Sequence, residues 1–145
     1  MKFKLIIAFV LLSTFIDKVK ADTFDLGNNT TVYACNSKEN ITNMFRSVAS
    51  SNYFNALAVV ANYSSSACPA HGPFNDDRMH AKVIESENIT VDGFNRYTLI
   101  RWRYSNGKRH YYSLLIRSNY GIWSDATDTL IGARTVSGII NLFSQ

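Results

Sequence analysis

The clearest pattern in the chain is a helical repeat of apolar residues around position 45. Apolar side chains recur at intervals of three and four residues, at Ile41, Met44, Phe45 and Val48. This spacing places one apolar stripe on a helix, which Asn40 can cap at its start and residues 50–52 can end. The next apolar run, at residues 54–61, suits a strand or a second helical turn, and periodicity does not decide between them. Residues 62–72 are polar and contain Pro69, which predicts a loop.

From residue 78 onward the pattern becomes that of β-strands. Aromatic and β-branched residues are concentrated in three segments, at residues 79–84, 97–104 and 109–117. Asn106-Gly107 separates the last two segments and predicts a hairpin with a two-residue type I′ turn. Further short strands are predicted at residues 30–33, 129–131 and 138–143, the first as the return of a hairpin at residues 27–29. One N-terminal helix followed by antiparallel strands predicts an α+β domain, with the helix packed on one face of the sheet.

The first 21 residues have the composition of a secretory signal peptide. Lys2 and Lys4 precede an apolar run at residues 5–16, and Val19-Lys20-Ala21 provides small residues for cleavage. The run is shorter than a membrane-spanning helix requires, which makes a signal anchor the less favoured alternative. We therefore expect a secreted mature chain of residues 22–145 that forms a single domain and is not attached to a membrane.

Cleavage after residue 21 changes the charge of the protein. The full chain has 15 basic and 11 acidic residues and a formal net charge of +4. Without the four lysines and one aspartate of the leader, 11 basic and 10 acidic residues remain, a net charge of +1. An anionic partner must therefore be bound by a local concentration of charge. The hydrophobic content of 46% excludes a disordered chain.

Export places Cys35 and Cys68 in an oxidising compartment, where they can form one disulfide. The disulfide would close a loop of about thirty residues and contribute about 3 kcal/mol to stability. No metal site and no cofactor are expected, because the two cysteines lack the nearby partner ligands of a zinc site. Sequons for N-glycosylation begin at Asn28, Asn29, Asn40, Asn62 and Asn88, and they mark surface positions in an exported eukaryotic chain.

The segment from residue 96 to residue 117 combines basic and aromatic residues and contains no acidic residue. A two-residue turn would place Arg103 opposite His110, and Arg101 opposite Tyr112. Cationic groups neutralise phosphates and aromatic rings stack on bases, so this hairpin is a candidate surface for single-stranded RNA. The candidate RNA-binding residues are Arg101, Trp102, Arg103, Lys108, Arg109, His110 and Tyr112. The alternative is an ordinary exposed hairpin, because strands favour aromatic residues and tolerate exposed arginines.

Acid–base cleavage of RNA would need two groups, one to take the 2′-hydroxyl proton and one to protonate the leaving oxygen. A glutamate and a histidine can fill these roles. The candidates are Glu85 or Glu87, which would share one face of a strand or turn, with His71 or His110. The sequence alone does not bring such a pair together, and it contains no hydrolase or phosphate-loop motif.

Five short segments resemble the motifs of one family in the same order. Tyr33-Ala34-Cys35 matches an aromatic-x-Cys motif, and Cys68-Pro69-Ala70-His71 loosely matches a Tyr-Pro-His motif. Tyr111-Tyr112-Ser113-Leu114-Leu115-Ile116 matches a Tyr-Tyr-Glu-Trp-Pro-Ile strand. Asp128-Thr129-Leu130-Ile131 and Gly138-Ile139-Ile140-Asn141 match an Asp-Arg-Val-Val strand and a Gly-Val-Ile-Thr-His end. Together they resemble the small secreted guanyl-preferring ribonucleases of fungi.

The resemblance does not extend to the catalytic residues. Ser113 stands at the position of the catalytic glutamate, Thr129 at that of the arginine, and Asn141 at that of the final histidine. Serine and asparagine have no proton to exchange near neutral pH, so the acid–base pair is missing. Of the family's catalytic residues, His71 alone has a counterpart here. The resemblance therefore implies a ribonuclease-like fold that is not an enzyme, a pseudo-ribonuclease.

A signal peptide, an aromatic-x-Cys motif and a ribonuclease-like frame without catalytic residues together resemble the secreted effectors of powdery mildew fungi. The resemblance implies a monomeric virulence effector that is secreted and translocated into the host plant cell. Its implied partners are RNA, host proteins or a plant immune receptor that recognises it as an avirulence protein. Two alternatives stay open, namely an active secreted ribonuclease and a small secreted binding module unrelated to ribonucleases.

Overall fold

A computed structural model describes the greater part of the chain from residue 26 onward. The described residues are Leu26 and residues 30–74, 80–91, 94–118 and 120–133. The predicted signal peptide, the turn at residues 27–29 and the strand at residues 138–143 lie outside them. Within the described part of the chain, no helix has the length and apolar character needed to cross a membrane.

The described residues form three helices and two antiparallel sheets. The helices are α1 (Lys38–Ala49), α2 (Tyr53–Ser64) and α3, of which residues 126–133 are described. The strands are β1 (Val32–Tyr33), β2 (Ala70–His71), β3 (Ala81–Val91), β4 (Phe94–Tyr104), β5 (Tyr111–Arg117) and β6 (Trp123–Asp125). β1 pairs with β2, while β3, β4, β5 and β6 form a four-stranded sheet in that order. The predicted α+β class is confirmed, and the expectation of a single helix is wrong.

Helix α1 forms where the apolar repeat predicted it. The four residues of the repeat are its buried residues, namely Ile41, Met44, Phe45 and Val48. The cap differs from the prediction, because the Ser37 hydroxyl accepts a hydrogen bond from the Asn40 amide at 3.1 Å. Ser37 is therefore the N-cap, a position at which serine stabilises a helix. The helix ends at Ala49, and its C-cap, Ser50, lies inside the predicted range.

The undecided apolar run at residues 54–61 belongs to α2. Asn52 caps the helix, since its Oδ1 accepts a hydrogen bond from the Asn55 amide. Ala56 and Val60 are buried in a cluster with Val48 of α1, and Leu130 and Ile131 of α3 pack against that cluster. Contact with two other helices thus selects the helical form. The loop predicted at residues 62–72 is shorter than expected, because α2 continues through Ser64 and residues 70–71 form β2.

The strand predicted at residues 129–131 is instead part of α3. Asp125 caps this helix, because its Oδ1 accepts a hydrogen bond from the Asp128 amide at 2.9 Å. The Thr129 hydroxyl donates to the Asp125 carbonyl oxygen at 2.8 Å. The cap and the contact with α2 therefore outweigh the strand preference of the β-branched residues.

The hairpin of β4 and β5 has the predicted register. Arg101 lies opposite Tyr112, and Trp102 lies opposite Tyr111. The turn is not the predicted type I′, because Gly107 has no positive φ and its amide donates to the Tyr104 carbonyl oxygen at 3.0 Å. The Arg103 guanidinium stabilises this turn by donating to three carbonyl oxygens, those of Tyr104, Ser105 and Gly107.

The four-stranded sheet separates two apolar clusters. One contains Leu99 and Leu114 together with the α1 residues Ile41, Met44 and Phe45. The other contains Ile100, Trp102 and Leu115 together with Leu26, Val32, Ala34 and Phe74. Successive strand residues alternate between the two clusters, as the pleat of a strand requires.

A disulfide joins Cys35 and Cys68, and both residues are fully buried. This confirms the predicted pairing. The backbone of Cys35 also exchanges two hydrogen bonds of 2.9 Å with that of Tyr112, which extends the sheet beside β5. The disulfide therefore connects the segment after β1, the central hairpin and the segment after α2.

Candidate functional site

Arg101 is the centre of the polar face of the hairpin. Its Nη2 lies 2.6 Å from Nδ1 of His110, and its Nη1 lies 3.6 Å from Oε1 of Glu85. The strand register places Glu85 and Tyr112 on either side of it. We call these four residues, Glu85, Arg101, His110 and Tyr112, the Arg101 cluster. The cluster combines a carboxylate, a cation, an imidazole and an aromatic ring.

The contact with Arg101 fixes the tautomer of His110. A guanidinium has only donors, so Nδ1 of the imidazole must accept the hydrogen bond and the proton must lie on Nε2. The side chain of Arg101 is 33% exposed and that of Glu85 is 64% exposed. Solvent screens such an ion pair, which then contributes at most about 1 kcal/mol. A phosphate can therefore displace the Glu85 carboxylate from Arg101 at a small cost.

The other predicted RNA-binding residues have different environments. Lys108 and Arg109 are exposed on the chain that leads from the turn to β5. The guanidinium of Arg103 already bonds to the turn carbonyls. Trp102 is fully buried, and its indole N–H donates to the Ser113 hydroxyl at 2.9 Å. Trp102 is therefore a core residue, and the prediction that its ring stacks on an RNA base is wrong.

His71 lies among the aromatic residues of the other sheet face. Its Nδ1 is 2.7 Å from the Tyr104 hydroxyl, and its ring packs against those of Trp102, Tyr104 and Tyr111. Burial, together with the nearby positive charge of Arg109, lowers the pKa of His71 below its usual value. Its described contacts include no carboxylate, whereas Glu85 contacts Arg101 and Glu87 forms an ion pair with Lys38. Glu85 and His110 therefore contact the same arginine, whereas the described contacts of His71 include neither glutamate.

Two of the three residues that the resemblance aligned with catalytic groups of the fungal ribonucleases have structural contacts. Ser113 is fully buried, and its hydroxyl accepts from Trp102 Nε1 and donates to the Tyr33 carbonyl oxygen at 2.8 Å. Thr129 lies in α3 and bonds to the backbone of Asp125. The third position, Asn141, lies outside the described residues.

Asp125 is a buried carboxylate that is not among the site residues predicted from the sequence. Its carboxylate accepts hydrogen bonds from the backbone amides of Tyr33 and Asp128, both at 2.9 Å. Burial raises the pKa of Asp125 to about 7, although these hydrogen bonds act in the opposite direction. The signal available in the sequence was Asp125 itself, a helix-capping residue type ahead of the apolar pair Leu130 and Ile131.

No set of three or more histidine, cysteine, aspartate or glutamate side chains in the described ranges is arranged to hold a metal ion. The arrangement that offers chemistry is therefore the Arg101 cluster, with Lys108 and Arg109 exposed beside it in sequence. In comparisons with protein-family models, with curated proteins and with solved structures, no match to this chain was found.

Proposed function

We propose that this chain is a secreted, non-catalytic effector with a ribonuclease-like scaffold, which acts in host plant cells by binding RNA or a host protein. The observation that carries the proposal is the environment of Ser113. Its hydroxyl serves one donor, the Trp102 indole, and one acceptor, the Tyr33 carbonyl. An ionised carboxylate at this position could not donate to that carbonyl. The surroundings of residue 113 thus suit a buried hydroxyl and not a catalytic glutamate.

The Arg101 cluster supports the binding part of the proposal. Arg101 offers donors to a phosphate, and its half-buried neighbour Tyr112 offers an aromatic ring. Lys108 and Arg109 add two exposed cations in the same hairpin. Such a combination suits a single-stranded nucleic acid, whose phosphates need cations and whose bases stack on aromatic rings. Recognition by a plant immune receptor belongs to the same proposal and rests on the effector resemblance.

An active ribonuclease is the second candidate, because Glu85 and His110 both contact Arg101. A carboxylate, an imidazole and a cation at one place are the groups that acid–base cleavage of a phosphodiester would use. The third candidate, a binding module unrelated to ribonucleases, shares the exposed hairpin but requires no affinity for RNA.

One assay separates the first two candidates. The disulfide-bonded protein of residues 22–145 is incubated with a guanosine-containing dinucleotide, and the products are quantified. We expect no turnover above that of the buffer. Turnover that disappears in both Glu85→Gln and His110→Ala would establish the ribonuclease and overturn the proposal. Turnover that disappears only in His71→Ala or Glu87→Gln would overturn the proposal in the same way, whereas turnover that persists in all four variants would indicate a contaminating nuclease.

RNA binding separates the first candidate from the third. Binding of a single-stranded RNA that weakens when the hairpin cations are removed supports the effector proposal in its RNA-binding form. If the folded protein has no affinity for RNA at low salt, a protein partner is the remaining occupant of the hairpin.

A further inference from the structure

Helix α2 presents an apolar face to solvent. Phe54 is 77% exposed and Leu57 is 41% exposed, and Ala58 and Ala61 are exposed on the same side. These residues follow the i, i+3, i+4, i+7 spacing that defines one face of a helix. The twelve residues of α2 include no charged side chain. Solvent-facing helix surfaces ordinarily carry charged and polar residues, so this face needs a cover.

The face is too small for a stable dimer. A standard protein interface buries about 800 Å² on each partner. Two exposed large side chains and two alanines fall well short of that area. A second copy of the chain is therefore not the expected cover.

Asn62 lies at the end of this face. It is exposed in the last turn of α2 and begins the sequon Asn62-Tyr63-Ser64. It follows Ala58 by one helical turn and Phe54 by eight residues, which is about 12 Å along the axis. Helical side chains lean toward the N-terminus of their helix. A group attached to Asn62 is thereby directed over Ala58 toward Phe54.

We propose that Asn62 carries an N-linked glycan and that this glycan covers the apolar face of α2. The inference rests on the secretion included in the proposed function, since the glycan is added in the secretory pathway. Nδ2 of Asn62 forms a bond to the anomeric carbon of a polyprenyl-diphosphate-linked oligosaccharide. The bond between that carbon and the diphosphate oxygen breaks, the diphosphate leaves with the electron pair, and the amide proton passes to a base of the transferring enzyme.

The other described sequons have different surroundings. Asn40 is half-buried in the first turn of α1 and precedes the fully buried Ile41. Asn88 is exposed on β3, a strand at the edge of the four-stranded sheet, and its Oδ1 accepts a hydrogen bond from the Thr98 hydroxyl. Asn88 thus provides a matched control, a sequon that is exposed but lies on a different element.

The test uses the full chain of 145 residues with its own leader, expressed in a yeast that secretes glycoproteins. Secreted wild type, Asn62→Gln, Ser64→Ala and Asn88→Gln are compared by intact mass before and after enzymatic deglycosylation. We expect Asn62→Gln and Ser64→Ala each to lose the mass of one glycan. Ser64→Ala removes the sequon but keeps the asparagine. A change seen in both variants is therefore due to the loss of the glycan and not to the loss of one particular side chain.

A second readout tests the cover. Fluorescence of a hydrophobic dye is expected to rise in Asn62→Gln and Ser64→Ala but not in Asn88→Gln. Adding Phe54→Ser and Leu57→Ser to Asn62→Gln removes the large apolar side chains of this face. The dye fluorescence of that triple variant is therefore expected to return to the wild-type value. Secreted protein with an unmodified Asn62 would overturn the inference alone, as would equal dye fluorescence with and without the glycan. A chain that is retained in the cell would overturn the secretion on which both proposals rest.

Discussion

At the scale of single residues, Asp125 shows how a buried carboxylate can make stability depend on pH. Its pKa of about 7 in the folded protein compares with about 3.9 for an aspartate in an unfolded chain. Between these values the folded state keeps a proton that the unfolded state has lost. The contribution of Asp125 to the free energy of unfolding is therefore present below pH 4 and is lost as the pH rises to 7.

Replacing Asp125 by asparagine should remove this pH dependence. Each pKa unit corresponds to about 1.4 kcal/mol, so the wild type should lose on the order of 4 kcal/mol from this group between pH 4 and pH 7. The lowered pKa of His71 has the opposite effect, since it decreases the free energy of unfolding as the pH falls below the usual histidine pKa. His71 is present in both proteins, so its effect cancels in the comparison. Urea unfolding of wild type and Asp125→Asn across this range measures the difference, and parallel profiles would contradict the assignment.

Ser113 makes a different residue-scale prediction. In Ser113→Ala, the Trp102 indole and the Tyr33 carbonyl both lose their partner in the core. Each unsatisfied buried group costs about 1–3 kcal/mol, so the free energy of unfolding should fall by a few kcal/mol. Ser113→Thr keeps the hydroxyl and is the matched control. An alanine variant as stable as the wild type would show that the hydroxyl is not needed.

At the scale of elements, the hairpin determines which cations can be tested. Arg103 holds the turn, so replacing it would change the fold together with the charge. Lys108→Ala with Arg109→Ala removes two exposed cations and leaves the Arg101 cluster in place. If the hairpin binds RNA, the slope of log affinity against log salt should decrease by about 1–2 units. As a control, Arg46→Ala removes an exposed arginine of α1 and should leave the slope unchanged. Equal slopes in the wild type, the double variant and Arg46→Ala would indicate an ordinary exposed hairpin.

The same elements show what the sequence could predict. The period of Ile41, Met44, Phe45 and Val48 predicted α1. The position of Asn106-Gly107 predicted the register of β4 with β5, although the turn has a conformation other than type I′. These signals are local, since each depends on residues that are close together in the sequence. Helices α2 and α3 depend on contacts with each other and with α1, and no local pattern records such contacts.

The site was predicted in part for the same reason. Strand alternation correctly placed Arg101 beside Tyr112, because both lie in one hairpin. The contact between Arg101 and Glu85 joins different segments of the sequence, and the pairing of β3 with β4 was needed to reveal it. The burial of Trp102 could not be foreseen either, because the cluster around it includes Val32 and Phe74 from distant parts of the chain.

At the scale of the whole molecule, the Cys35–Cys68 disulfide encloses both α1 and α2 in one covalent loop. The cysteines are 33 residues apart, and closing a loop of that length restricts the unfolded chain by about 3–4 kcal/mol. Cys35→Ala with Cys68→Ala should therefore lower the free energy of unfolding by about that amount. The double variant avoids leaving a free thiol in the core, which a single variant would do.

The oxidised wild type should also be two hydrogens lighter in intact mass than the reduced form, and it should not react with an alkylating agent while folded. Urea unfolding of the oxidised protein and of the double variant, at the same pH, gives the contribution of the disulfide. The disulfide also lies next to β1, which pairs with β2 and donates a hydrogen bond to Asp125. The double variant should therefore weaken the Tyr33–Asp125 hydrogen bond as well. If the two proteins unfold at the same urea concentration, or if two thiols react in the folded protein, the disulfide does not stabilise this fold.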